Sequence, residues 1–471
     1  MGPDARLGPV ARAACIVCAL AFVAACANLG PAGPSNVRIT VSGKETGPEL
    51  PADFVGLSYE KASLCLPLFD VGDTALLNLF RRLGPGVLRV GGNSVDTTSW
   101  DPSGPGLRRG LIAPADISRL ARFLAAADWR VLYGLNMATS TPQAMAEEAS
   151  AAQAAFGDRL VAFEIGNEPD RYHANSLRGP DFAYSDYLKE WNDDARAVSS
   201  RVPGASFAGP ATASDVAGYT VPFSRDTRNE VTLLTHHYYR GNGRSPSSTI
   251  ELLLSPDPRL SVLLHTLADV SVSQGIPGGF RLAEANSFYN GGAPHVSDTF
   301  ASALWAVDFL FTCAASGASG VNFHGGGHGP GYTPVADSGE TVREVRPEYY
   351  GLLLFSMAAQ GRMTRETVSH GGSSLSSWAV ESRDGSLRIV ILNRDSAVIP
   401  VDVEVSRAFR TASVLRLTGP SLSAETGTLL GGSPIRPDGS WDKRAEEQVA
   451  VRGGRFQVQM EGPCAVLAVV R

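Results

Sequence analysis

Two hydrophobic periods alternate over the first three quarters of the chain. Short apolar runs rich in β-formers are each followed by a stretch in which apolar residues return every three or four positions. The first run, Phe54–Glu60 (FVGLSYE), precedes a segment from Asp73 to Leu83 that puts Leu76, Leu77, Leu79, Phe80 and Leu83 on one helical face, with Asp73 placed to cap it. The unit then repeats. Val87–Val90 is followed by a helix over Pro114–Ala127 that starts on proline, and Arg130–Asn136 by an alanine-rich helix over Pro142–Phe156. The run opening at Val161 is followed by a helix over Phe182–Ser200. A weak fifth strand, Ala205–Pro210, precedes a sixth, Val231–Tyr239 (VTLLTHHYY), and a helix over Arg259–Ser273. A seventh strand from Phe280, a helix over Ser297–Ala315, an eighth strand over Gly320–His324 and a last helix over Pro347–Ala359 complete the series. Such alternation implies a parallel sheet with helices outside it, and eight units imply a sheet closed into a (β/α)8 TIM barrel over 50–361.

After Gly361 the pattern changes. Short alternating runs at Leu375–Val380, Leu387–Leu392, Val398–Val405, Ser413–Leu417, Gln448–Val451, Phe456–Met460 and Ala465–Val470 are separated by turn residues, and no helical period survives. This predicts a C-terminal β-sandwich domain over 362–471. One alternating run, Asn36–Ser42 (NVRITVS), precedes the barrel. As a strand within 36–45 it is expected to join that sandwich.

Two barrel runs end in a carboxylate set in a turn. Val161–Asp170 reads VAFEIGNEPD, so Glu168 leaves its strand between Asn167 and a proline that stops further pairing. Phe280–Pro294 reads FRLAEANSFYNGGAP, an apolar run that ends in Glu284 and opens into Asn, Ser and Gly. The C-terminal ends of barrel strands carry the chemistry of this fold, and at roughly 35 to 40 residues per unit Glu284 stands three strands after Glu168. Two carboxylates on one barrel face form the constellation of a glycoside hydrolase. One delivers a proton to the leaving oxygen; the other meets the forming oxocarbenium ion, attacking it when the pair is about 5 Å apart. An ionised nucleophile raises the pKa of the group beside it, which then stays protonated as the acid. On this reading Glu168 is the acid/base and Glu284 the nucleophile. Asn167 is placed to bond a sugar 2-hydroxyl. Alternate residues of His236, His237, Tyr238 and Tyr239 face the pocket, with His237 and Tyr239 as candidates and either tyrosine able to reach the nucleophile. Consecutive N–H groups in the turn Asn290-Gly291-Gly292 can form an anion nest.

Composition narrows the partners. With 471 residues, 44% apolar and 19% charged, the chain has ample material for two domains. A net charge of −6 and only four lysines (Lys44, Lys61, Lys189, Lys443) leave no basic stripe. This argues against nucleic acid and for local recognition of any acidic substrate. No metal or organic cofactor is implied, and a monomer is expected. Residues 1–30 read as an export leader: Arg6 and Arg12 precede an apolar run, Ala13–Ala25, too short for a final membrane span. Val23-Ala24-Ala25-Cys26 resembles a bacterial lipobox, which implies lipidation of Cys26; cleavage after Ala25 or Ala27 with free secretion is the rival. Export is expected in both cases, with membrane contact only through such an anchor. The remaining Cys65, Cys313 and Cys464 are far apart and odd in number, so they are expected as buried thiols rather than a disulfide framework or zinc site.

EIGNEPD, HHYY followed by Gly241-Asn242-Gly243, and EANSFYNGGAPHVSDTF together resemble glycoside hydrolase family 79, the heparanase and β-glucuronidase group, from about Phe54 to the C-terminus. LTGPSL, LLGG and DGSW, within Leu415–Trp441, are similar to that family's C-terminal domain. The resemblance implies a retaining barrel enzyme, a sandwich built from both chain ends, Glu168 as proton donor and Glu284 as nucleophile. It implies that backbone N–H groups at Asn290 and Gly291, with Tyr332 past strand eight, hold a substrate carboxylate. It also implies that Glu60, Asn93 and Asn167 meet the sugar hydroxyls. Heparanase-like members carry Gly where this chain has Asn290 and Thr where it has Asn93, so the subsites differ in shape.

The expected function is therefore an exported retaining β-glucuronidase acting on glucuronides or glycosaminoglycan-like oligosaccharides, with the sparse basic surface favouring exo action. An endo-acting, heparanase-like hydrolase of heparan sulfate is one alternative. A surface lipoprotein that binds acidic glycans without cutting them is another, and the presence of both carboxylates weighs against it.

Overall fold

The structure is a computed structural model that describes residues 37–329, 331–369 and 375–471. The expected leader, with Cys26, lies outside the described residues. Eight parallel strands close into a barrel: Val55–Glu60, Gly86–Gly91, Trp129–Leu135, Leu160–Ile165, Phe207–Thr212, Val231–Asn242, Phe280–Tyr289 and Val321–Gly325. Each pairs with the next, and the eighth closes on the first from Val321 against Val55 to Gly325 against Tyr59. Strands covered on both faces need apolar residues on both, which is why these runs read as nearly continuous. The surrounding helices start where the sequence signals them. Pro114–Ala127 and Pro142–Phe156 open on proline, and Thr74–Leu83 is capped by the Asp73 carboxylate on the Leu76 N–H. Strands six and seven run past Tyr239 and Glu284 to Asn242 and Tyr289, and stay paired there. They carry their loops to the barrel mouth.

The barrel interior is polar at two levels. Low in the barrel, Arg281 donates to Asn322 and to the carbonyls of Asp53 and Phe54. Higher up, Arg89 is fully buried among Ser58, Glu164 and Glu284.

The C-terminal strands form one curled ten-stranded sheet. Its order is Leu429–Leu430, Thr411–Thr418, Cys464–Val470, Leu387–Asn393, Leu375–Ser382, Gly361–Ser369, Val37–Glu49, Ile399–Val405 and Arg455–Met460, with Glu447–Ala450 beside Thr411–Thr418. Its halves enclose a common core that includes Ile39, Ile389, Ile391, Val403, Val414, Val458 and Val466. The sandwich expected from the sequence is thus a single hydrogen-bonded path folded over itself. Val37–Glu49 pairs antiparallel with Gly361–Ser369 and parallel with Ile399–Val405, so the strand before the barrel lies in the sheet after it.

Sheet and barrel meet at the helix Phe300–Ala315. Its Asp308 accepts from Ser376 Oγ and Trp378 Nε1, both at 2.9 Å, and pairs with Arg394 at 2.8 Å. Its first N–H groups, on Phe300 and Ala301, donate to the carbonyls of Ala424 and Leu422, which stand in for a capping side chain. Cys65, Cys313 and Cys464 are free and buried. No described helix is long and apolar enough to cross a membrane.

Candidate active site

The fourth strand leaves the barrel through Gly166 (φ +79°) and turns at Glu168. Glu168 is left-handed (φ 52°, ψ 57°), a conformation L side chains rarely adopt without support. Support comes from both sides. The Glu168 N–H donates to Ala211 O at 3.0 Å, and the Asn167 N–H to the Asp96 carboxylate at 3.1 Å. Asp170 accepts from the N–H groups of Ala213, Ser214 and Asp215 and anchors the next turn.

An oxygen of Glu168, a nitrogen of His237 and an oxygen of Glu284 all lie within 4.8 Å of one another. His237 Nδ1 is 2.9 Å from Glu168 Oε1. Glu284 accepts the Tyr239 hydroxyl on Oε1 and Arg89 Nη1 on Oε2, each at 2.7 Å, with His324 Nδ1 3.7 Å from Oε2. The two carboxylates thus have unlike surroundings. Burial alone would raise the Glu284 pKa, but His324, His237, Arg89 and the Tyr239 hydroxyl overcome it and hold the group well below the usual carboxylate range. Glu168 is the more open of the two, its side chain 17% exposed against 9% for Glu284. The spacing of Glu168, His237 and Glu284 also suits a metal ion. However, both Glu284 oxygens are already engaged, one by a guanidinium whose charge opposes a second cation.

Strand alternation resolves the two tyrosines. Tyr239 faces the carboxylates, whereas Tyr238 points outward, its hydroxyl on Asp257 at 2.9 Å and its ring stacked on Phe309. His236 likewise turns away, onto Thr212 and Thr220, and burial pushes its pKa down to about 3.

Of the other expected residues, Glu60, Asn93, Asn167 and Tyr332 contact the groups around the two carboxylates. Glu60 accepts from the N–H groups of Asn93 (3.3 Å) and Ser94 (2.7 Å) and lies 3.7 Å from His324 Nε2. Gly92 takes φ +72°, where L side chains are strained, and a Cβ there would stand 2.5 Å from the Glu60 carboxyl carbon. Asn93 Oδ1 faces Asn167 Nδ2 at 3.4 Å, and Asn167 Oδ1 accepts from Arg89 at 2.9 Å. Tyr332 packs on Tyr239 with ring centres 5.9 Å apart, and its N–H donates to Gly291 O at 3.1 Å. This contact is close: a Cβ on Gly292 would meet Tyr332 N at 2.3 Å. The exposed Asn290 side chain bonds Asn242 at 2.8 Å, whereas Gly291 reaches Tyr332 through its carbonyl.

Arg89, Glu164, His324 and Asp96 carry no expectation from the sequence. Arg89 sits mid-strand in VLRV, a single polar residue in an apolar run. It joins Glu164 (2.6 Å), Glu284 (2.7 Å) and Asn167 (2.9 Å) at the barrel centre. Burial opposes its charge and the two carboxylates outweigh that, so its pKa is raised.

No family model matches the chain. It is 26% identical to a β-glucuronidase of Aspergillus niger over 349 residues, which cover 65% of this chain and 63% of that protein, slightly under two thirds of the relative's length. A β-glucuronidase of Neurospora crassa is 24% identical over 420 residues, 76% of this chain and 75% of that one. In fold the chain is similar to a 4-O-α-L-rhamnosyl-β-D-glucuronidase from Fusarium oxysporum, with TM-score 0.74, 19% identity, and 91% and 99% of the two chains covered. It is also similar to an α-L-arabinofuranosidase from Thermotoga maritima, with TM-score 0.69, 17% identity, and 93% and 100% covered. With fungal β-glucuronidases as its relatives in sequence and a barrel fold similar to that of a solved glucuronidase, the chain is similar to the family 79 glycoside hydrolases.

Proposed function

We propose that the chain is a retaining β-glucuronidase in which Glu168 is the acid/base and Glu284 the nucleophile. One observation carries this reading: the two carboxylates approach within 4.8 Å around His237. Retaining enzymes hold the pair about 5 to 5.5 Å apart, and inverting enzymes about 6.5 to 9.5 Å apart to admit a water. The unlike surroundings support the division of roles. Glu284, kept ionised by the groups around it, attacks the anomeric carbon while Glu168 protonates the departing oxygen. The C–O bond breaks, the alcohol leaves, and a glycosyl ester on Glu284 remains. Glu168 then takes a proton from water, which attacks the same carbon, frees Glu284 and restores the original configuration. Glu60, Asn93 and Asn167 serve the sugar hydroxyls. The backbone at Asn290 and Gly291, with Tyr332, serves the sugar carboxylate; the names of the fungal relatives support that substrate class. The leader sequence supports export, and the scarcity of lysine supports exo action on short substrates over a grip on long sulfated chains.

The test offers an aryl β-glucuronide and the matching β-glucoside. Faster cleavage of the glucuronide is expected, and equal rates would remove carboxylate recognition. With E284A and azide, an α-glucuronyl azide is expected; the β-azide would make the other carboxylate the nucleophile.

A further inference from the structure

Asp96 is 1% exposed and takes no part in the reaction proposed above. Four donors converge on its carboxylate: the N–H groups of Met137 and Ala138 at 3.2 Å, the Asn167 N–H at 3.1 Å and the Tyr172 hydroxyl at 2.9 Å. Its own carbonyl accepts from Thr139 at 2.9 Å. One side chain beyond the second strand therefore ties down the exits of the third and fourth. All four donors are N–H or O–H groups, so the hold is directional rather than a diffuse charge pairing.

Two of these bonds bear on Glu168. The Asn167 N–H belongs to the peptide next to it. The Tyr172 hydroxyl fills the space beside Gly166, 2.5 Å from where a Cβ would lie, so the strand must leave through a glycine at that point. Arg89 restrains the Asn167 side chain while Asp96 restrains its backbone, and the left-handed turn at Glu168 follows. We propose that Asp96 is a positioning residue that sets the reach of Glu168, holding the acid/base against His237 and in line with the departing oxygen. This inference rests on the function proposed above.

The test is D96N, which keeps the shape but turns an amide N–H₂ toward groups that are themselves donors. The readout is kcat/KM on phenyl β-D-glucuronide, whose leaving group needs a proton, and on 2,4-dinitrophenyl β-D-glucuronide, whose leaving group departs without one. A displaced acid is expected to cost the phenyl substrate about 10²-fold and the dinitrophenyl substrate less than about threefold. Equal losses on both would overturn the proposal, because general damage does not discriminate between leaving groups. Y172F removes a single donor and is expected to give a smaller loss confined to the phenyl substrate, which keeps the test decisive if D96N does not fold. A crystal structure of D96N is expected to show Glu168 out of hydrogen-bond reach of His237, and an intact contact would refute the inference. Wild-type protein inactive on both glycosides would instead defeat the proposed function, with the structural readout still deciding the role of Asp96.

Discussion

Replacing Arg89 by methionine removes the only cation bonded to Glu164 and Glu284 among the described residues while keeping most of the side-chain volume. The wild-type guanidinium is fully buried and bonds Glu164, Glu284 and Asn167 between 2.6 and 2.9 Å. Taking one partner from a buried ion pair costs roughly 3 to 5 kcal/mol, because the charge left behind stays desolvated. Here two carboxylates lose one cation. The Thr235 hydroxyl still serves Glu164 and the Tyr239 hydroxyl still serves Glu284, which keeps the loss from doubling. We expect about 4 kcal/mol at neutral pH, read from urea unfolding. The pH dependence fixes the sign. In the wild type Glu284 is held below its unfolded-state value. Its contribution is therefore full above an unfolded pKa of about 4.3 and is lost as the pH falls through the lower folded value. Without Arg89 one of the influences opposing burial is gone, so the folded-state pKa rises and the variant takes up a proton at higher pH than the wild type. The stability deficit should narrow as the pH is lowered from 7 toward 4, and the acid limb of kcat/KM should move upward. A deficit under about 1 kcal/mol at pH 7, the worth of an exposed pair, or one that does not narrow in acid, would mean that Arg89 is not among the groups that keep Glu284 ionised.

Other expectations concern the loop after the seventh barrel strand and the contact between sheet and barrel. G292A places a methyl 2.3 Å from the Tyr332 nitrogen at φ +92°, so the loop must move off Tyr332. The KM for an aryl glucuronide should rise about tenfold, the loss of one contact of about 1.4 kcal/mol, while the weaker glucoside activity changes little. D308A strips a shared acceptor from Ser376, Trp378 and Arg394. It should cost about 2 to 3 kcal/mol in urea unfolding and leave kcat/KM of the folded protein unchanged.

The barrel is legible in the sequence because its two periods are clean and its punctuation is physical. Asp73, Pro114 and Pro142 mark helix starts, and Pro169 marks a strand end. Glu168 and Glu284 stand out in the sequence as carboxylates that follow apolar runs, although the strand carrying Glu284 continues to Tyr289. The barrel interior is not legible. Arg89 finds Glu164 and Glu284 75 and 195 positions away, a pairing that only closure of the barrel creates. The choice between Tyr238 and Tyr239 depends on the pleat at a shifted register opposite Glu284, which no local pattern encodes. The strand Gly361–Ser369 escapes notice because GRMTRETVS holds only Met363 and Val368 as large apolar residues, and its pairing with Val37–Glu49 supplies what its composition lacks.

That pairing has a consequence for biosynthesis. Val37–Glu49 is translated early, yet both of its neighbours follow the whole barrel. A nascent or prematurely ended chain therefore trails a ribbon with two open edges, a ready template for aggregation. Dividing the gene after the barrel would not release two independent modules: one fragment would carry an orphan strand, and the other a sheet with a gap in its middle.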